Sequence, residues 1–208
     1  MAKDILVLNL GADGQFRRAV KHVTGLAQTY AETTSSADVY VATTRSVARA
    51  GAMLEENIGL LHVMGHGESS GRMTTGQSWW RPKTVFDVEQ LAAWVDRTGS
   101  RLNIDGILLD GCDTFSDDWS SKIAATLTPG RKAVLIGTSR SVGWDEASTY
   151  VGAFYPALLR RKFPQQPARR RANIVDAHER ATAAYETVLD KPSPFRCEVI
   201  VGVALPLE

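Results

Sequence analysis

The order in which apolar runs and helical periods alternate constrains this chain more tightly than any other feature. DILVLNL (4–10), DVYVAT (38–43), IGLLHVM (58–64), IDGILLD (104–110) and KAVLIGT (132–138) are each one strand long, and most are apolar at odd and even positions alike. Strands of that composition are covered on both faces, as they are inside a parallel sheet. Between them, side chains recur at helical spacing: Phe16, Val20, Val23, Leu26, Ala27 and Tyr30; a shorter segment near 45–55; Val88, Leu91, Ala92 and Val95. Trp119, Ile123 and Leu127 follow an N-cap expected at Ser116 or Asp117. Further on, Ala147, Tyr150, Val151, Phe154, Tyr155, Leu158 and Leu159 form one stripe, which Pro156 should kink. Ile174, His178, Ala181, Tyr185 and Val188 mark a last helix before a closing strand, CEVIVGVAL. Strand and helix in alternation require right-handed crossovers, so the expected fold class is α/β, a three-layer α/β/α sandwich with a mostly parallel sheet. No repeat or dividing linker interrupts the pattern, and residues 1–208 are expected to form a single domain.

Charge excludes some functions. With 24 Lys and Arg against 23 Asp and Glu, the chain carries no overall field that would favour nucleic acid or an acidic membrane. Two cysteines, Cys112 and Cys197, make neither a disulfide framework nor a Cys-x-x-Cys metal pair. No apolar run approaches the length of a membrane span, and the first residues run directly into a strand without the pattern of an export signal. A cytoplasmic protein with no nucleic-acid or membrane partner is the expectation.

In parallel α/β sheets the functional groups sit in loops at the carboxyl ends of strands. Two such loops carry chemistry here. GHGESSG (65–71) superficially matches a phosphate-binding loop, but RMTTGQSWWRP follows it with no helical period, and no Gly-Lys-Ser/Thr occurs. His66 between two glycines is uncovered and close to backbone, a setting a purely structural histidine does not need. His62 is expected to be a satisfied core histidine, and packing is expected to explain His178 and His22. In GCDT (111–114), Cys112 follows the fourth apolar run and precedes a helix start, where N–H groups favour the thiolate. A free thiol is only about 3% ionised at neutral pH. A protonated imidazole about 4 Å away, at an effective dielectric near 20, supplies on the order of 4 kcal/mol, about three pKa units. Adjacent parallel strands would bring the His66 loop beside that of Cys112. The alternative is a small buried cysteine capping its strand. Other cysteine chemistries fail on the letters: Asp118 stands where a phosphatase loop needs arginine, Asp110 and Thr114 stand where a hydrolase elbow needs glycines, and zinc lacks further ligands. Neither a metal nor a cofactor is expected.

With His66-Gly67 after one strand and Asp110-Gly111-Cys112 after the next, 46 residues on, the chain resembles the caspase-like (clan CD) cysteine peptidases. Within them it resembles the bacterial CHAT domains. LLHVMGHGE and ILLDGCDT are similar to the two catalytic segments of that family, and AVLIGTSRSVGWDEASTYVGAFYPALL with NIVDAHERATAAY is similar to its C-terminal half, so the likeness spans roughly residues 58–190. The resemblance implies caspase-like topology, with Cys112 as nucleophile and His66 as its acid/base partner. It also implies an oxyanion hole made by the N–H groups of Gly67 and Cys112. Relatives that cut after basic residues carry an aspartate two before the nucleophile, at the floor of the S1 pocket; Asp110 occupies that position, which implies cleavage after Arg or Lys. The alternative role for Asp110 is a strand-end carboxylate bonded to backbone amides.

The caspase Gln-Ala-Cys-Arg-Gly signature is absent, and Asp113 follows the nucleophile where metacaspases have histidine. A carboxylate there opposes thiolate formation, so a partner or substrate is expected to arrange the site. Trp79 and Trp80 are expected either to line a substrate groove or to cover the sheet edge. RRKFPQQPARRR (160–171) holds six basic side chains and reads as an exposed loop, suited to self-cleavage or to docking on an acidic partner. The expected function is a cysteine endopeptidase acting on a protein substrate with a basic P1 residue. The resemblance implies control by a separate activator or regulatory protein, in a bacterial defence or cell-death pathway. The alternative is a catalytically silent CHAT-like interaction module.

Overall fold

A computed structural model describes residues 3–9, 14–34, 37–43, 54, 57–74, 85–87 and 101–203. The chain adopts an α/β fold around a six-stranded sheet whose strands lie in the order β2 (Val39–Thr43), β1 (Lys3–Asn9), β3 (Ile58–Met64), β7 (Ile104–Asp110), β8 (Lys132–Thr138) and β9 (Phe195–Val201), numbered along the chain. The first five are mutually parallel, and β9 closes one edge antiparallel to β8. All seven residues of both β3 and β7 are buried, as expected of strands covered on both faces, with His62, Asp105 and Asp110 the polar side chains among them.

Alternation along the strands sends side chains to two separate cores. On one face Leu6, Leu61, Val63, Leu109 and Leu135 meet Trp119 and Ile123 of helix α2 (Asp117–Thr126). On the other, Val7, Leu60, Leu108 and Val134 meet α1 (Gly14–Thr34), α3 (Trp144–Leu158) and α4 (Pro167–Leu189). Helices therefore cover both faces of the sheet. No helix among the described residues is long and apolar enough to cross a membrane.

Several boundaries differ from the sequence reading. The closing strand lies earlier than expected, and Pro156 sits in the last turn of α3, which ends two residues later. The basic segment is not all loop: α4 begins at Pro167, a residue that suits a first helical turn because its missing N–H has no partner there anyway. The buried stripe of α4 is Arg170, Ile174, Ala177, Ala181 and Tyr185, whereas Val188 is exposed. His22 is exposed rather than packed, and His178 is half-buried with Nδ1 2.8 Å from the Tyr150 hydroxyl. Burial, helped by the Arg196 charge, lowers the His178 pKa to about 4. The helix expected over Val88–Val95, Trp79 and Trp80, and all but Leu54 of the segment near 45–55 lie outside the described residues.

The polar stretch after β3 contains structure that periodicity did not suggest. Three short strands, β4 (His66–Glu68), β5 (Arg72–Thr74) and β6 (Val85–Asp87), form a second, antiparallel sheet. A turn closed by Gly71 N–H to the Glu68 carbonyl (3.3 Å) joins the first two. Helix α2 holds that turn: Trp119 Nε1 donates to the Glu68 carbonyl (3.0 Å), Ser116 Oγ to that of Ser69 (3.2 Å) and Lys122 Nζ to that of Ser70 (3.3 Å).

Candidate active site

β3 and β7 are neighbours in register, with Met64 opposite Asp110, so the segments after them leave the sheet side by side. The first bond between them is Gly65 N–H to the Asp110 carbonyl, 3.2 Å. Beyond it the two backbones touch. A Cβ on Gly67 would stand 2.1 Å from the Cys112 carbonyl oxygen and 2.9 Å from its nitrogen, and one on Gly111 would stand 2.7 Å from the Gly65 oxygen and 3.0 Å from the Gly67 nitrogen. Only glycine allows this approach. The amides of Gly67 and Cys112 therefore lie close together at one strand end.

Buried hydroxyls hold the turn that carries the cysteine. Thr114 Oγ1 lies 3.0 Å from the Leu109 carbonyl and accepts from Thr138 N–H (3.1 Å), and Thr138 donates to the Gly111 carbonyl. These side chains satisfy backbone groups where β7 and β8 end, in a buried place where unpaired groups are costly. Asp113 adopts a left-handed conformation (φ 52°), its N–H bonded to the Arg140 carbonyl and its carboxylate accepting from Ser141 Oγ (3.2 Å). That carboxylate is thus engaged by the segment after β8.

The same segment forms the far wall of the site. His66, Asp110, Gly111 and Cys112 line one cleft together with Gly65, Val142, Gly143, Trp144 and Ala147. The structure thus gathers the sequence-predicted His66, Cys112 and Asp110 around one space, with Gly67 behind them. His66 is half-buried, its ring edge-on to Trp144 with centroids 6.0 Å apart. Cys112 is half-buried as well, its sulfur 3.5 Å from Val142 N and 3.7 Å from Val142 O. The wall is braced by Glu146, which accepts from Gly143 N–H (2.9 Å), Arg140 (2.8 Å) and Tyr185 Oη (2.5 Å), and pairs with Lys191 (2.7 Å). The Arg140 guanidinium, more than any other neighbour, holds the Glu146 carboxyl well below the usual carboxylate range.

Asp110 is 3% exposed, and its side chain faces an imidazole rather than backbone amides: Oδ2 is 3.5 Å from His62 Nε2. His62 is wholly buried, its Nδ1 2.8 Å from the Tyr155 hydroxyl of α3. Glu68 is exposed, its Oε2 within 3.5 Å of Ser70 Oγ, and does not enter the cleft. Among the described residues no group of three or more His, Cys, Asp or Glu side chains could hold a metal ion. Sequence reasoning missed Thr114, Thr138 and the 139–144 wall, whose roles depend on β8 pairing beside β7. The turn at Ser69–Gly71 was a legible signal for the β4–β5 hairpin.

No family model and no curated protein matches the chain. Among solved structures it is similar to the Arg specific cysteine proteinase gingipain R, with a TM-score of 0.51 over 97% of this chain and 46% of that one, at 12% identity. The chain spans less than half of that protein's length. The likeness is one of fold, and with the strand order above it defines a caspase-like α/β topology.

Proposed function

We propose that the protein is a cysteine endopeptidase whose dyad is His66 and Cys112 and whose S1 pocket is floored by Asp110, cleaving after Arg or Lys. The observation that carries this reading is the shared cleft of His66, Asp110 and Cys112 at adjacent strand ends, within a fold similar to that of a cysteine proteinase. The Cys112 thiol gives its proton to His66, and the sulfur attacks the scissile carbonyl carbon. The oxyanion that forms accepts hydrogen bonds from the Gly67 and Cys112 N–H groups, each good donor being worth about 3 kcal/mol. His66 then delivers the proton to the leaving amine nitrogen as the C–N bond breaks. Water attacks the resulting thioester, giving a proton to His66 that returns to the departing sulfur. Asp110 favours a basic P1 side chain through charge, and the arginine specificity of gingipain R is in keeping with that preference.

The sulfur's position between the Val142 N–H and C=O supports a resting state in which the 139–144 wall must release the sulfur before it can attack. That fits control by a separately encoded activator, and the sequence likeness to CHAT domains supports a role in bacterial defence or cell death. The same sulfur contact is the observation that favours the second reading, a catalytically silent interaction module. Fluorogenic peptides ending in Arg, Lys or a neutral residue separate the two. Turnover of the basic peptides that falls about 10³-fold or more in Cys112→Ala is expected; turnover indifferent to Cys112 would refute the peptidase reading.

A further inference from the structure

Resting on the basic-pocket reading, we infer that His62 and Tyr155 are positioning residues for substrate specificity: Tyr155 O–H donates to His62 Nδ1, which sets the ring proton on Nε2 and holds the Asp110 carboxylate toward a cation in the cleft. The chain of contacts runs from α3 through β3 to β7, with 2.8 Å between the Tyr155 hydroxyl and Nδ1 and 3.5 Å between Nε2 and Asp110 Oδ2. All three groups are buried, at 0% exposure for His62 and Tyr155 and 3% for Asp110. Nε2 is buried without a hydrogen-bond partner of its own among the described residues, and the acceptor it faces, at 3.5 Å, is Asp110 Oδ2.

For a ring that carries one proton, the donor inventory decides the direction of the chain. A carboxylate accepts only, so an Nε2 facing it as a lone pair would set two acceptors against each other in a dry interior. The stable arrangement has N–H at Nε2, which in a neutral ring makes Nδ1 the acceptor and requires Tyr155 to donate. Tyr155 is kept in that role: burial first, and the Asp110 charge second, push its phenol well above its ordinary pKa, so it retains its proton. Tyr150, on the same helix and raised by burial and by the Cys197 and Asp110 charges, stays protonated too. No cation within this network cancels Asp110 in that state. Oδ2 is steered from behind by a neutral donor, while the residue itself lines the cleft. The net negative charge therefore remains available to a guanidinium or ammonium group, in an orientation fixed before substrate arrives.

The test is equilibrium binding of benzamidinium, an arginine-like cation, and of neutral benzamide to the full chain by calorimetry. This readout needs neither turnover nor an activator. Benzamidinium is expected to bind the wild type in preference to benzamide, and Asp110→Asn to abolish that preference. Tyr155→Phe and His62→Phe are expected to weaken benzamidinium binding about fivefold, the size of one ordinary hydrogen bond. His62→Gln, which keeps an acceptor for Tyr155 and a donor for Asp110, is expected to restore most of it. Tyr155→Phe changes no volume beyond one oxygen, and matching thermal transitions for it and the wild type separate lost positioning from lost folding. Unchanged affinity in Tyr155→Phe and His62→Phe, with Asp110→Asn still defective, overturns this inference alone. Benzamidinium binding that is absent, or indifferent to Asp110, overturns the basic-pocket reading and this inference with it.

Discussion

Cys112 and Cys197 differ in environment more than in exposure. Burial, followed by the charges of Glu179 and Glu198, pushes the Cys197 thiol up to about 11, so almost none of it is thiolate at neutral pH. Cys112 lies in the cleft beside His66. Brief treatment with iodoacetamide at neutral pH should therefore label Cys112 first. Cys197 should react some hundredfold more slowly than an unperturbed thiol. Peptide mapping by mass spectrometry reads both rates, and rapid labelling of Cys197 would contradict the burial argument. Asp110, too, is defined by what it faces. The family resemblance implied a pocket floor and the strand end a carboxylate bonded to amides; the side chain lines the cleft and faces the buried imidazole of His62.

Helix α4 illustrates how one element is tied down by charge. Asp105, wholly buried near the start of β7, meets Arg131 (2.6 Å), Arg170 (3.1 Å) and Arg171 (3.3 Å). Arg170 also donates to the Pro164 carbonyl (2.6 Å), which fixes the turn leading into the helix. Removing one partner of a buried pair costs about 3 to 5 kcal/mol because the remaining charge is left unpaired. Asp105→Asn, which strands three guanidinium groups, should lose stability of that order in urea unfolding. A second consequence concerns acid. His178 has its pKa depressed to about 4 by burial, below the roughly 6.5 of an unfolded histidine, so between those values the unfolded chain binds more protons. Its stability contribution is whole above pH about 6.5 and is lost as pH falls toward about 4. Glu146, lowered chiefly by Arg140, adds a further loss below the ordinary carboxylate range. Urea midpoints at pH 7 and pH 5 should differ less in His178→Gln than in the wild type.

The two ends of the sheet are given to different tasks. The candidate site lies at the carboxyl ends of β3 and β7, whereas Phe163, from the basic segment, packs where a Cβ on Gly59 at the start of β3 would lie, 2.5 Å away. Helix α3 separates Trp144 at the cleft from that segment by its 15 residues, roughly 22 Å. Exposed Arg160, Arg161 and Lys162 therefore cannot reach Cys112 of their own chain without unfolding. Any self-cleavage there must be between molecules. Its initial rate should rise with the square of protein concentration and vanish in Cys112→Ala, which mass spectrometry of new termini at two dilutions would check. First-order cleavage would contradict this geometry.

The central strands, most helices and the loops that carry His66 and Cys112 were legible because burial on both faces and helical amphipathicity leave local periodic marks. IGLLHVM and IDGILLD are bounded in the structure as they are in the letters. The order of apolar runs and helical periods already pointed to a layered α/β sheet with chemistry at its strand ends. What it left open came from residues far apart in sequence: the partner of Asp110, the Thr114–Thr138 brace, the burial of Arg170 and the small sheet after β3. Those outcomes depend on which strands become neighbours and which carboxylate a helix meets on docking, and no local period records that.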